Sequence, residues 1–271
     1  MVDKKLAHSY RKKVFILTYC RNIKLLYGTL MLFDSLRMGF PNAEINVIDN
    51  VSLPQARVAI KEQCKKNNCS YHQLERNVRH EAFIESIVDN EQGTVIFLDP
   101  DISFWKSVED WLFDKPMAGR LIPKFLDEYS RTSTMPRLHT SFLWIQNTQS
   151  LRERINRIKN VWWNFAPWGP VTLKHDNEWV RYDTGASLYA AIKDEVHTFT
   201  EEELNAYDHL FCGSHIDVVL PKMKPDDRTE TVKLHQNLLK DRNSLKGVWR
   251  RQEKYFAKRA IENNPEHESF I

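Results

Sequence analysis

Residues 94–105 read TVIFLDPDISFW: five apolar or β-branched residues run into two carboxylates with a proline between them. Such a run has the composition of a strand covered on both faces, and strands of that kind usually belong to parallel sheets. Its tip is then the C-terminal edge of a sheet, where open α/β folds bind ligands. Asp99 and Asp101 lie two apart, so in an extended chain they share a face at a spacing of roughly 6–7 Å, while Pro100 stiffens the turn and removes a donor. Like charges this close repel, and a hard divalent cation that also holds phosphate oxygens removes the conflict. The plainer reading is that both acids cap the next segment or make a turn.

Outward from this motif, the 271 residues suit one large α/β domain, or one domain with a small appendage. Hydrophobic residues at 42% and charged residues at 28% exclude an intrinsically disordered chain. No apolar segment approaches the ~20 residues that cross a bilayer, and the early VFILTY is too short for a signal peptide. The four cysteines, Cys20, Cys64, Cys69 and Cys212, show neither a C-x-x-C pair nor zinc spacing. A cytoplasmic protein with reduced thiols is expected. The net charge of +3 is the small difference between 39 basic and 36 acidic residues. Its distribution is uneven, because residues 222–259 hold twelve Lys/Arg against five Asp/Glu. That stretch reads as a solvated helix face or as a surface for phosphate.

Strand-like and helix-like segments alternate before the motif. Strands are expected over 14–19, 44–48 and 70–74, and helices over 24–38, 53–66 and 80–88. This order argues for βαβ units and a doubly wound, mostly parallel sheet flanked by helices. Further on, strands are expected at 143–145 and 217–220, and helices at 151–162, 185–192 and 232–260. No linker separates independent domains. Residues 1–220 are expected to form the main domain, with a ligand-binding half near 13–105 and a second half near 106–220, and 221–271 a basic helical extension packed on it.

A βαβ half, an apolar strand ending in Asp-x-Asp, and a less regular second half resemble the GT-A class of nucleotide-sugar glycosyltransferases, over about residues 13–220. The resemblance implies that Asp99 and Asp101 hold Mn2+ or Mg2+ against the diphosphate of a nucleotide diphosphate sugar, UDP-linked by default. It further implies donor contacts from Thr18, Tyr19 and Arg21 at the end of the first strand, with Tyr19 stacking on the base. Asp49 would contact the nucleoside at the end of the second strand, and Arg79 or His80 the donor. Ser141, in RLHTSFLWI (residues 137–145), is similar in placement to the small polar residue that GT-A enzymes fold beneath the sugar. Asp183 either caps the helix that follows, together with Thr184, or faces the acceptor hydroxyl as a general base. The stretch DHLFCGSH (residues 208–215) supplies Asp208 as a second catalytic acid, His209 and His215 as further metal ligands, and Ser214 toward the diphosphate. His235 is a rival ligand, and Lys246 resembles the C-terminal lysine of glycogenin-like transferases. The acceptor implied is a glycan, a protein or modified DNA, and the oligomeric state stays open.

Two other readings use the same residues. Asp99-Pro100-Asp101-Ile102-Ser103 resembles the nucleophile motif of haloacid-dehalogenase-like phosphatases, with Asp226 and Asp227 as a late acidic pair, although that motif ordinarily closes the first strand. A nucleic-acid-binding protein would use the basic tail with Trp162, Trp163 and Trp168. The Trp-rich stretch 161–179 would instead stack acceptor sugars or pack as core or lid.

Overall fold

The computed structural model describes residues 11–23, 26–127, 132–162, 165–175 and 178–210, with positions 225, 229, 233, 246 and 247. β1 (Lys13–Thr18) leads through α1 (Leu26–Leu30), a 3-10 turn (Met31–Asp34) and α2 (Leu36–Gly39) to β2 (Glu44–Asp49). α3 (Pro54–Lys66), β3 (Ser70–Gln73), α4 (His80–Asn90) and β4 (Val95–Leu98) complete the first half. β5 (Ile102–Phe104) follows the Asp-x-Asp turn, and β6 (Met117–Ile122), β7 (Phe125–Asp127), β8 (Thr132–Thr134) and β9 (Arg137–Ile145) come next. The chain continues with α5 (Thr148–Val161), β10 (Val171–His175), β11 (Glu178–Tyr182), α6 (Ala186–Ile192), β12 (Val196–Thr198), α7 (Glu201–Leu204) and β13 (Tyr207–His209).

The central sheet has the order β12-β6-β9-β4-β1-β2-β3. β1 pairs in parallel with both β2 and β4, β2 with β3, and β6 with β12, while β9 runs antiparallel between β4 and β6. The expected mostly parallel α/β sheet is therefore present. Two smaller sheets, β10-β11-β8-β7 and β13-β5, flank it.

The side-chain alternation of period two divides the core. Ile96 and Leu98 join Val14, Ile16, Val47, Phe142 and Trp144 on one face, where Phe40 and Phe104 pack edge to face. Val95 and Phe97 point the other way, against Phe83, Ile84 and Val88 of α4 and Leu151 and Ile155 of α5. All four β4 residues are buried, as a strand covered on both sides requires. The single helix expected over 24–38 is instead broken. The Leu32 amide leaves its own turn and donates to the Pro100 carbonyl at 2.9 Å, and Ser35 Oγ accepts from the Phe104 amide at 3.0 Å. Gly39 lies so close to β5 that a Cβ there would sit 2.6 Å from Phe104 Cγ. The broken helix is thereby docked on the backbone around Asp99 and Asp101.

β6, β12, the first half of β9 and the small sheets were not expected from the sequence. β9 begins at Arg137, six residues before the expected strand, because its first half pairs with β6 past a register shift at Gly119/Leu121. The expected strand at 217–220 lies outside the described residues, as does all of the expected extension except Pro225, Thr229, Lys233, Lys246 and Gly247. Among the described residues no helix is long and apolar enough to cross a membrane.

Candidate metal and nucleotide site

After β1 the chain moves to β2 and β3 on one side, and returns at β4 on the other. Such a reversal leaves a crevice beyond the C-terminal ends of β1 and β4, because the connections there diverge. A cleft of about 730 Å³ occupies this place, lined among others by Tyr19, Asn50, Asn77, His80, Asp99, Asp101, Arg137, His139, Asp183 and His209. Its size suits a nucleotide-sized ligand.

The Asp-x-Asp turn is held at several backbone points. The Asp99 amide donates to the Ser141 carbonyl at 2.7 Å, the Leu32 amide caps the Pro100 carbonyl, and the Leu210 amide donates to the Asp101 carbonyl at 2.9 Å. The last contact belongs to the short β13–β5 ribbon, in which His209 pairs with Ile102. The ribbon brings His209 back to the motif across more than a hundred residues of sequence. Asp99, Asp101 and His209 each offer a ligand atom, all within 4.8 Å of one another. His209 Nε2 lies 3.2 Å from Asp101 Oδ1, a buried oxygen that accepts no hydrogen bond among the described residues. A buried carboxylate oxygen left in this way carries a desolvation cost that a cation would offset. The residues present therefore fit a divalent ion, with two carboxylates and one imidazole as ligands.

His139 lies against His209, with ring centroids 5.1 Å apart. Its Nδ1 accepts the Ser141 amide at 3.0 Å, which leaves the proton of the neutral ring on Nε2. Burial, reinforced by His209, Arg137, Arg120 and His80, holds its pKa well below the usual imidazole range. On the facing wall, Asp183 is paired with Arg137 at 2.9 Å and with Arg181 at 3.5 Å, and its Oδ1 accepts the Thr184 amide at 3.0 Å. The expected side-chain cap is not made: α6 starts after Gly185 in the left-handed region, and only the Asp183 carbonyl reaches the Ala186 amide.

Two expected donor contacts fall one residue short. Thr18 is fully buried with its hydroxyl on the Ile48 carbonyl, and Asp49 is fully buried with the Ser52 amide, Tyr71 hydroxyl and Arg57 around it. Neither lines the cleft; the next residues, Tyr19 and Asn50, do. The reason is the pleat: Thr18 and Asp49 are register partners at the ends of their strands and turn into the protein together. Arg21 stands over the Tyr19 ring at 5.0 Å. His80 and Arg79 both line the cleft, although Arg79 is largely exposed and paired with Glu81. Ser141 is buried and acts through its backbone on Asp99 and His139.

Asp208 does not line the cleft. It alternates with His209 along β13, and its Oδ2 accepts the Trp105 indole and the Gly247 amide, each at 2.7 Å. Lys246 is exposed beside that glycine. Ser214, His215 and His235 lie outside the described residues. Sequence reasoning missed Asn50 and Asn77, and within the stretch 137–145 it assigned a role to Ser141 alone, not to Arg137, His139 or Thr140, which line the cleft. A signal for Asn50 was present, because it directly follows an acid-ended strand parallel to β1.

The phosphatase reading places its nucleophile at the end of the first strand, whereas the motif here follows the fourth, and Asp226 and Asp227 lie outside the described residues. Of the tryptophans offered for nucleic acid, Trp168 is buried, Trp162 is exposed, and Trp163 lies outside the described residues.

No protein-family model matches the chain, and no curated protein matches it either. Solved structures do. A mannosyltransferase of Pyrobaculum calidifontis, solved with GDP-Man and Mn2+, is similar at 16% identity over 54% of this chain and 47% of that one, with a TM-score of 0.37. The glycosyltransferase GlyE of Streptococcus pneumoniae is similar at 13% identity over 72% and 46%, with a TM-score of 0.41. A nucleoside-diphosphate-sugar pyrophosphorylase of Vibrio cholerae is similar at 13% identity over 82% and 99%, with a TM-score of 0.41. The match spans less than half the length of each of the first two chains. What the cleft does chemically follows from its own residues.

Proposed function

We propose that the protein is a glycosyltransferase that moves a sugar from a nucleotide diphosphate sugar to an acceptor hydroxyl. The observation that carries this reading is the meeting of Asp99, Asp101 and His209 within 4.8 Å at the C-terminal edge of β4, inside a cleft of nucleotide size. In this reading the three side chains hold Mn2+, since a mixed carboxylate and imidazole set suits it better than Mg2+. The bound ion would supply Lewis-acid neutralisation of the leaving diphosphate.

The chain's own residues do the rest. Tyr19 stacks on the nucleobase, UDP-linked donors being the first to test. Arg79 and His80 border the phosphates, and Lys246, with Ser214 and His215, would add contacts from the C-terminal side. His139 offers its Nε2–H to the donor, because Ser141 occupies its other nitrogen. Asp183 takes the proton of the acceptor hydroxyl, and Arg137, paired with it at 2.9 Å, aims that carboxylate. The acceptor is a glycan, a protein side chain or a modified DNA base, in a cytoplasmic setting.

Calorimetric titration of UDP, GDP and their sugars, with Mn2+ and with chelator, tests this reading. Metal-dependent binding that is lost in Asp99→Asn/Asp101→Asn is expected. Absence of binding by every nucleotide would refute it.

A further inference from the structure

The cleft wall at the end of β2 carries a chain of side-chain amides with one fixed polarity. Asn50 is buried, its Nδ2 donates to the Val78 carbonyl at 2.8 Å, and its Oδ1 accepts the Val78 amide at 2.8 Å. These reciprocal bonds admit only one orientation of the Asn50 amide, since a flipped group would set donor against donor and acceptor against acceptor. Its second N–H then points to Asn77 Oδ1, at 3.2 Å. Asn77 lines the cleft and is exposed. With its oxygen committed to Asn50, it turns its NH2 group to whatever the cleft holds.

The position of this donor matters. The ion-binding cluster follows β4, Tyr19 follows β1, and Asn50 follows β2, so the three stand in strand order across roughly 10 Å of sheet edge at ~4.8 Å per strand. A nucleotide whose diphosphate meets the cluster and whose base reaches Tyr19 presents a base edge to Asn77. This placement rests on the function proposed above. A donor group at that edge donates to a carbonyl oxygen, as on uracil or guanine, and opposes an exocyclic amino group, as on cytosine or adenine. We infer that Asn77, polarised by the Val78–Asn50 clamp, selects donors with a keto nucleobase over those with an amino nucleobase.

UDP and CDP form the sharpest pair, because they differ only at the C4 substituent and the adjoining ring nitrogen. One hydrogen bond gained in one case and opposed in the other predicts tighter binding of UDP by about five- to tenfold. Calorimetry with UDP, CDP, GDP and ADP in Mn2+ tests this on wild type, Asn77→Ala and Asn77→Asp. Asn77 is exposed and sits in a loop, so both variants should fold, which their melting curves check. Wild type should prefer UDP to CDP and GDP to ADP; Asn77→Ala should bring each ratio near one, and Asp at this position should reverse it. Equal binding of all four diphosphates by wild type, or ratios untouched by Asn77→Ala, would overturn the inference alone. Binding of none would remove the donor site itself, and this inference with it.

Discussion

Asp101→Asn separates a metal ligand from a structural acid, because the two roles predict opposite changes in stability. Asp101 is 2% exposed, and its carboxylate lies no more than 4.8 Å from that of Asp99. At an effective dielectric constant near 20, two such charges repel by about 3 kcal/mol. Neutral asparagine removes that repulsion and also the attraction to His209, so in chelator the variant should melt at or above wild type. With metal the order inverts. An ion at a hundred times its dissociation constant adds about 2.7 kcal/mol, and at roughly 2–4 °C per kcal/mol for a chain of this size, wild type should gain roughly 5–10 °C. The variant should gain little, and its sugar transfer should fall by at least about a hundredfold, the loss of several kcal/mol of electrostatic stabilisation. Differential scanning fluorimetry across a Mn2+ titration, beside a transfer assay, reads both. A variant that melts lower than wild type in chelator, yet keeps its metal-induced shift and its activity, would refute the reasoning.

Two other perturbations test neighbouring assignments. Asp208→Ala leaves the Trp105 indole and the Gly247 amide without their acceptor and should cost about 1–3 kcal/mol in urea denaturation, whereas Asp208→Asn, which keeps an acceptor oxygen, should cost less. An Asp208→Asn protein of normal stability with abolished transfer would restore a catalytic role to that acid. The Cys64 thiol is pushed up to about 12, chiefly by burial and then by Cys69 and Asp49. Folded and unfolded chains both keep this proton below pH 9; between 9 and about 12 only the folded chain does, so stability should fall with rising pH over that window. Cys64→Ala should flatten the fall, and rapid alkylation of native Cys64 at pH 8 would contradict the burial argument.

The first half of the fold was legible because its signals are local. β1, β2, α3, α4 and β4 each carry their own apolar pattern and their own boundary, such as Pro54 opening α3 or Asn90 closing α4. The second half was obscure for the opposite reason. β5, β12 and β13 are three residues each and exist only through partners far away in sequence, so no window of that length could announce them. The broken helix over 26–39 failed similarly, since its break comes from the Pro100 carbonyl and Ser35, not from a glycine or proline within it.

The site divides along the same line. Asp99 and Asp101 could be read because strand and acids are contiguous, and Tyr19 because it directly follows a strand of the same kind. Arg137 and His139 could not be read, because they reach the cleft through the register shift between β6 and β9, which turns the start of β9 toward the Asp-x-Asp turn. The two donor contacts read one residue early share a cause. A parallel register that pairs Thr18 with Asp49 buries both, and so it delivers Tyr19 and Asn50 together to the cleft. A strand's last residue is therefore governed by the sheet's pleat and the next one by the cleft, so a search at such an edge should start one position past the strand. At β4 that position is Asp99, where the acid follows the last paired residue, Leu98.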